Sequence, residues 1–156
     1  MNRKHIICFG DSNTHGYCGD AADFDGVPQP GGAMRFSEAS RWPRLVQAAL
    51  GEEYLIIEEG LNGRTTVFED PFRNGITGAG YIWPCLMSHK PVDLLILMLG
   101  TNDAKEWYGA SPDRICAGME YLVCSTPNPP LRAKTGPNTV LGPPPHIARR
   151  LAGPVS

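Results

Sequence analysis

Three short polar turns carry the residues of this 156-residue chain that could do chemistry. The first turn, Gly10-Asp11-Ser12-Asn13, directly follows an apolar run. Ser12 is the only group in that turn that could serve as a conventional acyl-accepting nucleophile. Two further turns, 61–66 and 100–103, contain glycine and polar residues and also follow apolar runs. The chemistry therefore depends on whether the fold brings these turns together.

The first turn also has a purely structural interpretation. Asp, Ser, Asn and Thr all suit the N-cap of a helix, so residues 11–14 alone favour a helix start about as strongly as a catalytic serine. Gly63 and Asn102, taken singly, are equally compatible with ordinary turn positions. Only the combination of the three turns favours a catalytic site over a structural role.

Alternating strands and helices must position the turns. Apolar runs predict strands at 5–9, 54–57 and 94–99, and helical spacing predicts helices at 40–50 and 80–90 and from 111 onward. The last strand is a run of six apolar residues, typical of a parallel strand that is buried on both faces. The pattern predicts a doubly wound α/β sheet with all three turns at its carboxyl edge, where such sheets bind ligands.

Composition excludes several classes of function. The net charge of −2 gives no basic surface for nucleic acid or an anionic membrane. No apolar run has membrane-spanning length and none resembles a signal-peptide core, so we expect a cytoplasmic protein. The five cysteines form no CxxC pair, which argues against a zinc site or a disulfide framework. A nucleotide-binding module would need a GxGxxG or P-loop motif, and neither is present.

The composition changes near Cys124. No acidic residue follows Glu120, and eight of the fifteen prolines lie in the last 30 residues, from Pro127 to Pro154. Such a segment has little apolar surface to bury against its ordering entropy. We therefore predict an α/β domain over 1–123 and a mostly irregular tail over 124–156, with 140–141 as a possible short strand.

Together the three turns resemble the first three sequence blocks of the SGNH (GDSL) hydrolases. The neighbouring segments 41–43, 60–66 and 93–103 resemble the arylesterase and carbohydrate acetylesterase branch, and the resemblance covers roughly residues 5–123. It implies a three-layer α/β/α, flavodoxin-like parallel sheet that hydrolyses small acetyl, aryl or carbohydrate esters. It implies no metal or organic cofactor. Related enzymes often form homo-oligomers, but the sequence does not determine a stoichiometry.

The same resemblance implies a role for each site residue. Ser12 is the expected nucleophile, and its backbone N–H, the backbone N–H of Gly63 and the side-chain amide of Asn102 are the expected oxyanion-hole donors. Asp11, Asn13 and Arg64 are assigned to the substrate-binding surface. Asp11 is also expected to bond nearby backbone N–H groups, and Arg64 to anchor its loop.

The chain departs from the family pattern at the fourth block, Asp-x-x-His, which supplies the general base and its orienting carboxylate. No such motif follows Asp103, and neither His15 nor His146 matches it. We therefore expect a C-terminally incomplete chain whose esterase activity is impaired, because a serine without its base is a weak nucleophile. The alternative is an inactive remnant that only binds small acyl or carbohydrate ligands.

Overall fold

The structure, a computed structural model, describes residues 3–26, 28, 30, 32–126 and 138–142. Its strands are β1 (Lys4–Gly10), β2 (Tyr54–Gly60), β3 (Leu94–Met98) and β4 (Asn138–Leu141). They form one parallel sheet in the order β2-β1-β3-β4. The predicted parallel α/β sheet is confirmed, with β1 at its centre beside both β2 and β3.

The helices differ from the sequence prediction mainly at their ends. They are α1 (Ser12–His15), α2 (Trp42–Leu50), α3 (Gly78–Ser88) and α4 (Pro112–Ser125). Helix α2 begins at Trp42 rather than at the predicted residue 40, and its N-cap residue Arg41 makes no side-chain cap bond. Helix α3 begins two residues early because the Thr77 side chain caps it by accepting from Gly80 N–H, which leaves Pro84 inside the helix.

Apolar residues cover both faces of the sheet. Ile7 and Phe9 pack with buried residues of α3 and α4, including Leu86 and Leu122. The alternate residues Ile6 and Cys8 point the other way, into a smaller cluster that contacts α2. Because successive strand residues face opposite sides, this division confirms the three-layer arrangement.

Part of the predicted irregular tail is a strand. Residues 138–141 pair in parallel with β3, and they include the short apolar pair that suggested a strand. Helix α4 runs past the predicted domain boundary to Ser125. Residues 127–137 and 143–156 lie outside the described residues, so a division of the chain at residue 123 stays a prediction. Among the described residues, no helix is long and apolar enough to span a membrane.

The strand register aligns the starts of the three turns. Gly10 pairs with Gly60 on one side and with Met98 on the other, so β1, β2 and β3 end at the same level. A Cβ on Gly60 would lie 2.1 Å from the backbone nitrogen of His15. The absence of that Cβ lets α1 pack directly on the end of β2, which places the first turn beside the second.

Candidate active site

The first turn presents Ser12 at the start of α1. Asp11 is the N-cap residue, and its Oδ1 accepts hydrogen bonds from the backbone N–H and the side-chain amide of Asn13, each at 2.9 Å. Thus the helix-cap interpretation holds for Asp11. Ser12 itself is half-buried, and neither its hydroxyl nor its N–H bonds to a residue that the structure describes. Both groups are therefore available to a ligand.

The second turn depends on glycine at position 63. Gly63 has φ +84°, a left-handed conformation, and a Cβ there would lie 2.3 Å from Nη1 of Arg73. Arg73 in turn donates from Nη2 to the carbonyl oxygen of Asn62 at 2.7 Å. Within the described part of the chain, the N–H of Gly63 has no acceptor. It is a second free donor on this edge.

Asn102 and Asp103 fasten the third turn to the second. Asn102 is only 4% exposed, and its amide donates one hydrogen bond, 3.0 Å long, to the carbonyl of Arg64. The second amide proton keeps no acceptor among the residues that are described. Buried Asp103 accepts from the backbone N–H of Thr66 at 2.9 Å and from the Thr66 hydroxyl.

Hydrogen bonds join the three turns pairwise. Leu61 N–H donates to the carbonyl of Gly10 at 3.1 Å, and the Asn102 bond above joins the second turn to the third. The amide of Asn13 reaches Thr101 Oγ1 at 3.5 Å, a weaker contact between the first turn and the third. The structure therefore brings the segments of Ser12, Gly63 and Asn102 together at one edge of the sheet.

Arg64 lies beneath the turns rather than on the predicted substrate-binding surface. It is only 3% exposed, its Nη1 donates to the carbonyls of Gly10 and Glu59, and its guanidinium lies 4.3 Å from the ring centre of Phe9. Burial lowers its pKa, against the opposing effect of the nearby Glu59 charge. A substrate contact does not fit this placement, whereas the loop-anchoring interpretation does.

Asp11 and Asn13, the other two predicted substrate-binding residues, already form hydrogen bonds within the protein. Asp11 is fully buried, and burial raises its pKa while the bonds from Asn13 oppose the rise. A direct substrate contact by Asp11 does not fit this burial. Asn13 is half-buried and keeps some exposed surface, although its amide already bonds Asp11 and Thr101.

Replacing Arg64 with methionine is expected to lower the free energy of unfolding by about 2–4 kcal/mol, because two carbonyls lose a charged donor. Urea denaturation followed by tryptophan fluorescence measures this change. Arg114→Met is the control, since Arg114 is exposed and lies over the Phe68 ring at 5.4 Å. Equal denaturation midpoints for the Arg64 variant and the unmodified chain would contradict the anchoring role.

Sequence reasoning missed a cavity beside Gly63. The cavity has a volume of about 330 Å³ and is lined by Gly63, Asp70, Phe72, Arg73, Lys105, Trp107 and Tyr108. Phe72 and Trp107 are 80% and 63% exposed, and their ring centres lie 5.8 Å apart. Large aromatic residues in the polar segments that follow the second and third turns were the available signal.

Among the residues that the structure describes, no histidine side chain hydrogen-bonds to Ser12. His15 closes the far end of α1, where burial and the neighbouring Arg35 lower its pKa while a hydrogen bond to the Gly60 backbone opposes the shift. His89 faces Glu59, and the ring of His5 lies 3.5 Å from the carbonyl oxygen of His89. His146, which sequence analysis left without a role, lies outside the described residues.

Comparison with known proteins identifies the family. The profile of the GDSL-like Lipase/Acylhydrolase family matches residues 8–151. The chain belongs to this family. The match confirms the resemblance drawn from the three turns, all of which lie within residues 8–151. A search of the curated proteins found no match.

Solved structures agree with the family assignment. An inhibitor-bound aryl esterase of M. smegmatis is 36% identical, with a TM-score of 0.75 over 91% of this chain and 64% of its own. A carbohydrate acetylesterase from Sinorhizobium meliloti is 34% identical, with a TM-score of 0.73 over 89% of this chain and 63% of its own. An SGNH-hydrolase family esterase at 23% identity, with a TM-score of 0.51, supports the fold alone. The chain thus spans less than two thirds of these GDSL-family structures.

Proposed function

We propose that this GDSL-family chain is a serine ester hydrolase with Ser12 as its nucleophile. The oxyanion hole in this proposal comprises the backbone N–H groups of Ser12 and Gly63 and the side-chain amide of Asn102. One observation carries it: three hydrogen-bonded turns hold these donors at one edge, each with an N–H that has no acceptor in the described part of the chain. Each such donor is worth about 3 kcal/mol of activation free energy.

The reaction follows from these groups. The Ser12 oxygen attacks the ester carbonyl, the carbonyl oxygen becomes an oxyanion, and the alcohol leaves as the carbon–oxygen bond breaks. Water then releases the acyl group as a carboxylate. The serine proton must pass to a base, and no Asp-x-x-His follows Asp103 within the 156 residues. Without a base positioned beside Ser12, both steps are slow.

The substrates in this proposal are acetyl esters of aryl or sugar alcohols. The exposed faces of Phe72 and Trp107 offer a stacking surface beside Gly63 for an aromatic ring or the apolar face of a sugar. The related structures named as an aryl esterase and a carbohydrate acetylesterase support the same class. Arg73 and Lys105 line the same cavity with Asp70, so two positive side chains and one negative side chain face it.

Trp107→Ala is expected to raise the half-saturation concentration for p-nitrophenyl acetate about three- to tenfold, as loss of one aromatic contact predicts. The maximal rate should change little, because Trp107 does not touch the reacting atoms in this scheme. Steady-state or burst kinetics over a range of ester concentrations measures both quantities. Trp83→Ala is the control, since Trp83 is exposed on α3 and does not line the cavity. A half-saturation concentration that matches the control would remove the stacking role.

A second candidate function is ligand binding without turnover. It is favoured by one observation: no base contacts the Ser12 hydroxyl in the residues that the structure describes. Hydrolysis of p-nitrophenyl acetate by the 156-residue chain decides between the two functions. We expect p-nitrophenol to be released faster than in buffer alone, and a serine-directed phosphonate to block this additional release. If the chain binds the ester or its alcohol but hydrolysis is no faster than in buffer alone, the ligand-binding function is favoured.

A further inference from the structure

Three side chains with different metal-binding atoms meet between β2 and α3. They are Glu59 near the end of β2, Cys85 within α3, and His89 at the C-cap of α3. A carboxylate oxygen, the thiol sulfur and an imidazole nitrogen all lie within 4.8 Å of one another. Cys85 and His89 are four residues apart, which places both on one face of the helix turn. The cluster therefore presents three kinds of ligand atom to a single point.

The contacts inside the cluster centre on the carboxylate of Glu59. Its Oε1 lies 2.8 Å from Nε2 of His89 and 3.5 Å from the hydroxyl of Tyr81. Cys85 is buried, whereas Glu59 and His89 are partly exposed. Burial, and then the charge of Glu59, raises the pKa of the Cys85 thiol to about 12. A neutral thiol thus lies against a carboxylate, and a bound cation would reverse this preference by stabilising the thiolate.

We propose that Glu59, Cys85 and His89 bind one Zn²⁺ ion, with water as the fourth ligand. Nitrogen, sulfur and oxygen donors together suit zinc, whereas Ca²⁺ and Mg²⁺ take oxygen ligands. Tetrahedral zinc with bonds of about 2.0–2.3 Å places its ligand atoms roughly 3.6 Å apart. To reach that spacing, ligand atoms as far as 4.8 Å apart must approach by about 1 Å, and the 2.8 Å pair of Glu59 and His89 must separate by somewhat less. Rotation of these two partly exposed side chains supplies both changes.

The buried side chain of Arg64 leaves the carboxylate of Glu59 accessible. Arg64 donates to the backbone carbonyls of Gly10 and Glu59, and among the described residues it forms no ion pair with the Glu59 carboxylate. A bound ion would tie the end of β2 to the C-terminal end of α3. This role is independent of the chemistry proposed for Ser12.

Cobalt substitution tests the site without reference to esterase activity. The full chain is stripped with a chelator and titrated with Co²⁺, which is expected to bind once per chain and to give a thiolate-to-cobalt charge-transfer band in the near ultraviolet. Zn²⁺ should then displace the cobalt and remove the band. Cys85→Ser is expected to abolish the band. Cys124→Ser, at an exposed free cysteine, is the control and should retain it.

His89→Gln gives a second test, since His89 lies at a partly exposed helix end and its replacement spares the buried thiol. We expect zinc affinity, measured by competition with a chromophoric chelator, to fall about 100-fold or more, because outer-shell changes alone cost 10–100-fold. The proposal is overturned by binding well below one ion per chain or by a cobalt spectrum without a thiolate band. The proposal is also overturned if Cys124→Ser removes the thiolate-to-cobalt band and Cys85→Ser does not.

Discussion

Ser12→Ala is expected to abolish the acetylation of the chain by p-nitrophenyl acetate. Acylation needs a base for the Ser12 proton but no general acid, because p-nitrophenolate is a stable leaving group, so acylation depends less on the fourth sequence block than deacylation does. Deacylation needs an activated water and should be slower, so the acetyl-enzyme accumulates. Intact-mass measurement after mixing should find one acetyl group on the unmodified chain and none on the variant. The initial burst of p-nitrophenol should disappear with it.

Ser88→Ala is the matched control for that experiment. Ser88 is exposed at the end of α3, and among the described residues its hydroxyl bonds only the Cys85 carbonyl, at 3.1 Å. This variant should become acetylated like the unmodified chain. Acetylation of Ser12→Ala at the original rate and stoichiometry would mean that another nucleophile reacts, and the serine assignment would be lost.

Asn102→Ala is expected to slow acylation by about 10²- to 10³-fold, the usual cost of removing one side-chain donor to an oxyanion. The half-saturation concentration should change little, because the oxyanion exists only after the ester has bound. The variant also loses the 3.0 Å bond to the Arg64 carbonyl. We therefore expect a separate fall of about 1–2 kcal/mol in the free energy of unfolding.

Stopped-flow release of p-nitrophenol measures the acylation rate, and urea denaturation measures the stability change. Asn74→Ala is the control, since Asn74 is an exposed turn residue that does not line the cavity beside Gly63. It should alter neither quantity. A rate for Asn102→Ala within threefold of the control would show that this amide does not stabilise the transition state.

The sheet and the meeting of the turns were predictable because local signals and topology agree. The apolar run at 94–99 predicts a strand buried on both faces, and parallel strands joined by helices must end at one edge. The alignment of Gly10 with Gly60 and Met98 confirms that reasoning. Helix ends were less predictable, because Thr77 captures the start of α3 through its own side chain.

What the sequence could not predict depends on tertiary contacts. The charge of Arg64 predicts a surface position. The residue is buried because the carbonyls of Gly10 and Glu59 accept hydrogen bonds from it and Phe9 stacks against it. Cys85 and His89 carry no recognised metal spacing until packing brings Glu59 to them. The absence of a CxxC pair excludes only cysteine-rich zinc sites, and a mixed ligand set forms only in the folded chain.

The central claim is that convergence of three turns activates Ser12 toward acyl-type electrophiles. A serine-directed phosphonate, followed by proteolysis and mass mapping of the 156-residue chain, tests it most directly. We predict a single adduct on Ser12 of the folded chain and none after denaturation. No adduct on the folded chain, or an adduct spread over exposed serines such as Ser40 and Ser111, would contradict the account.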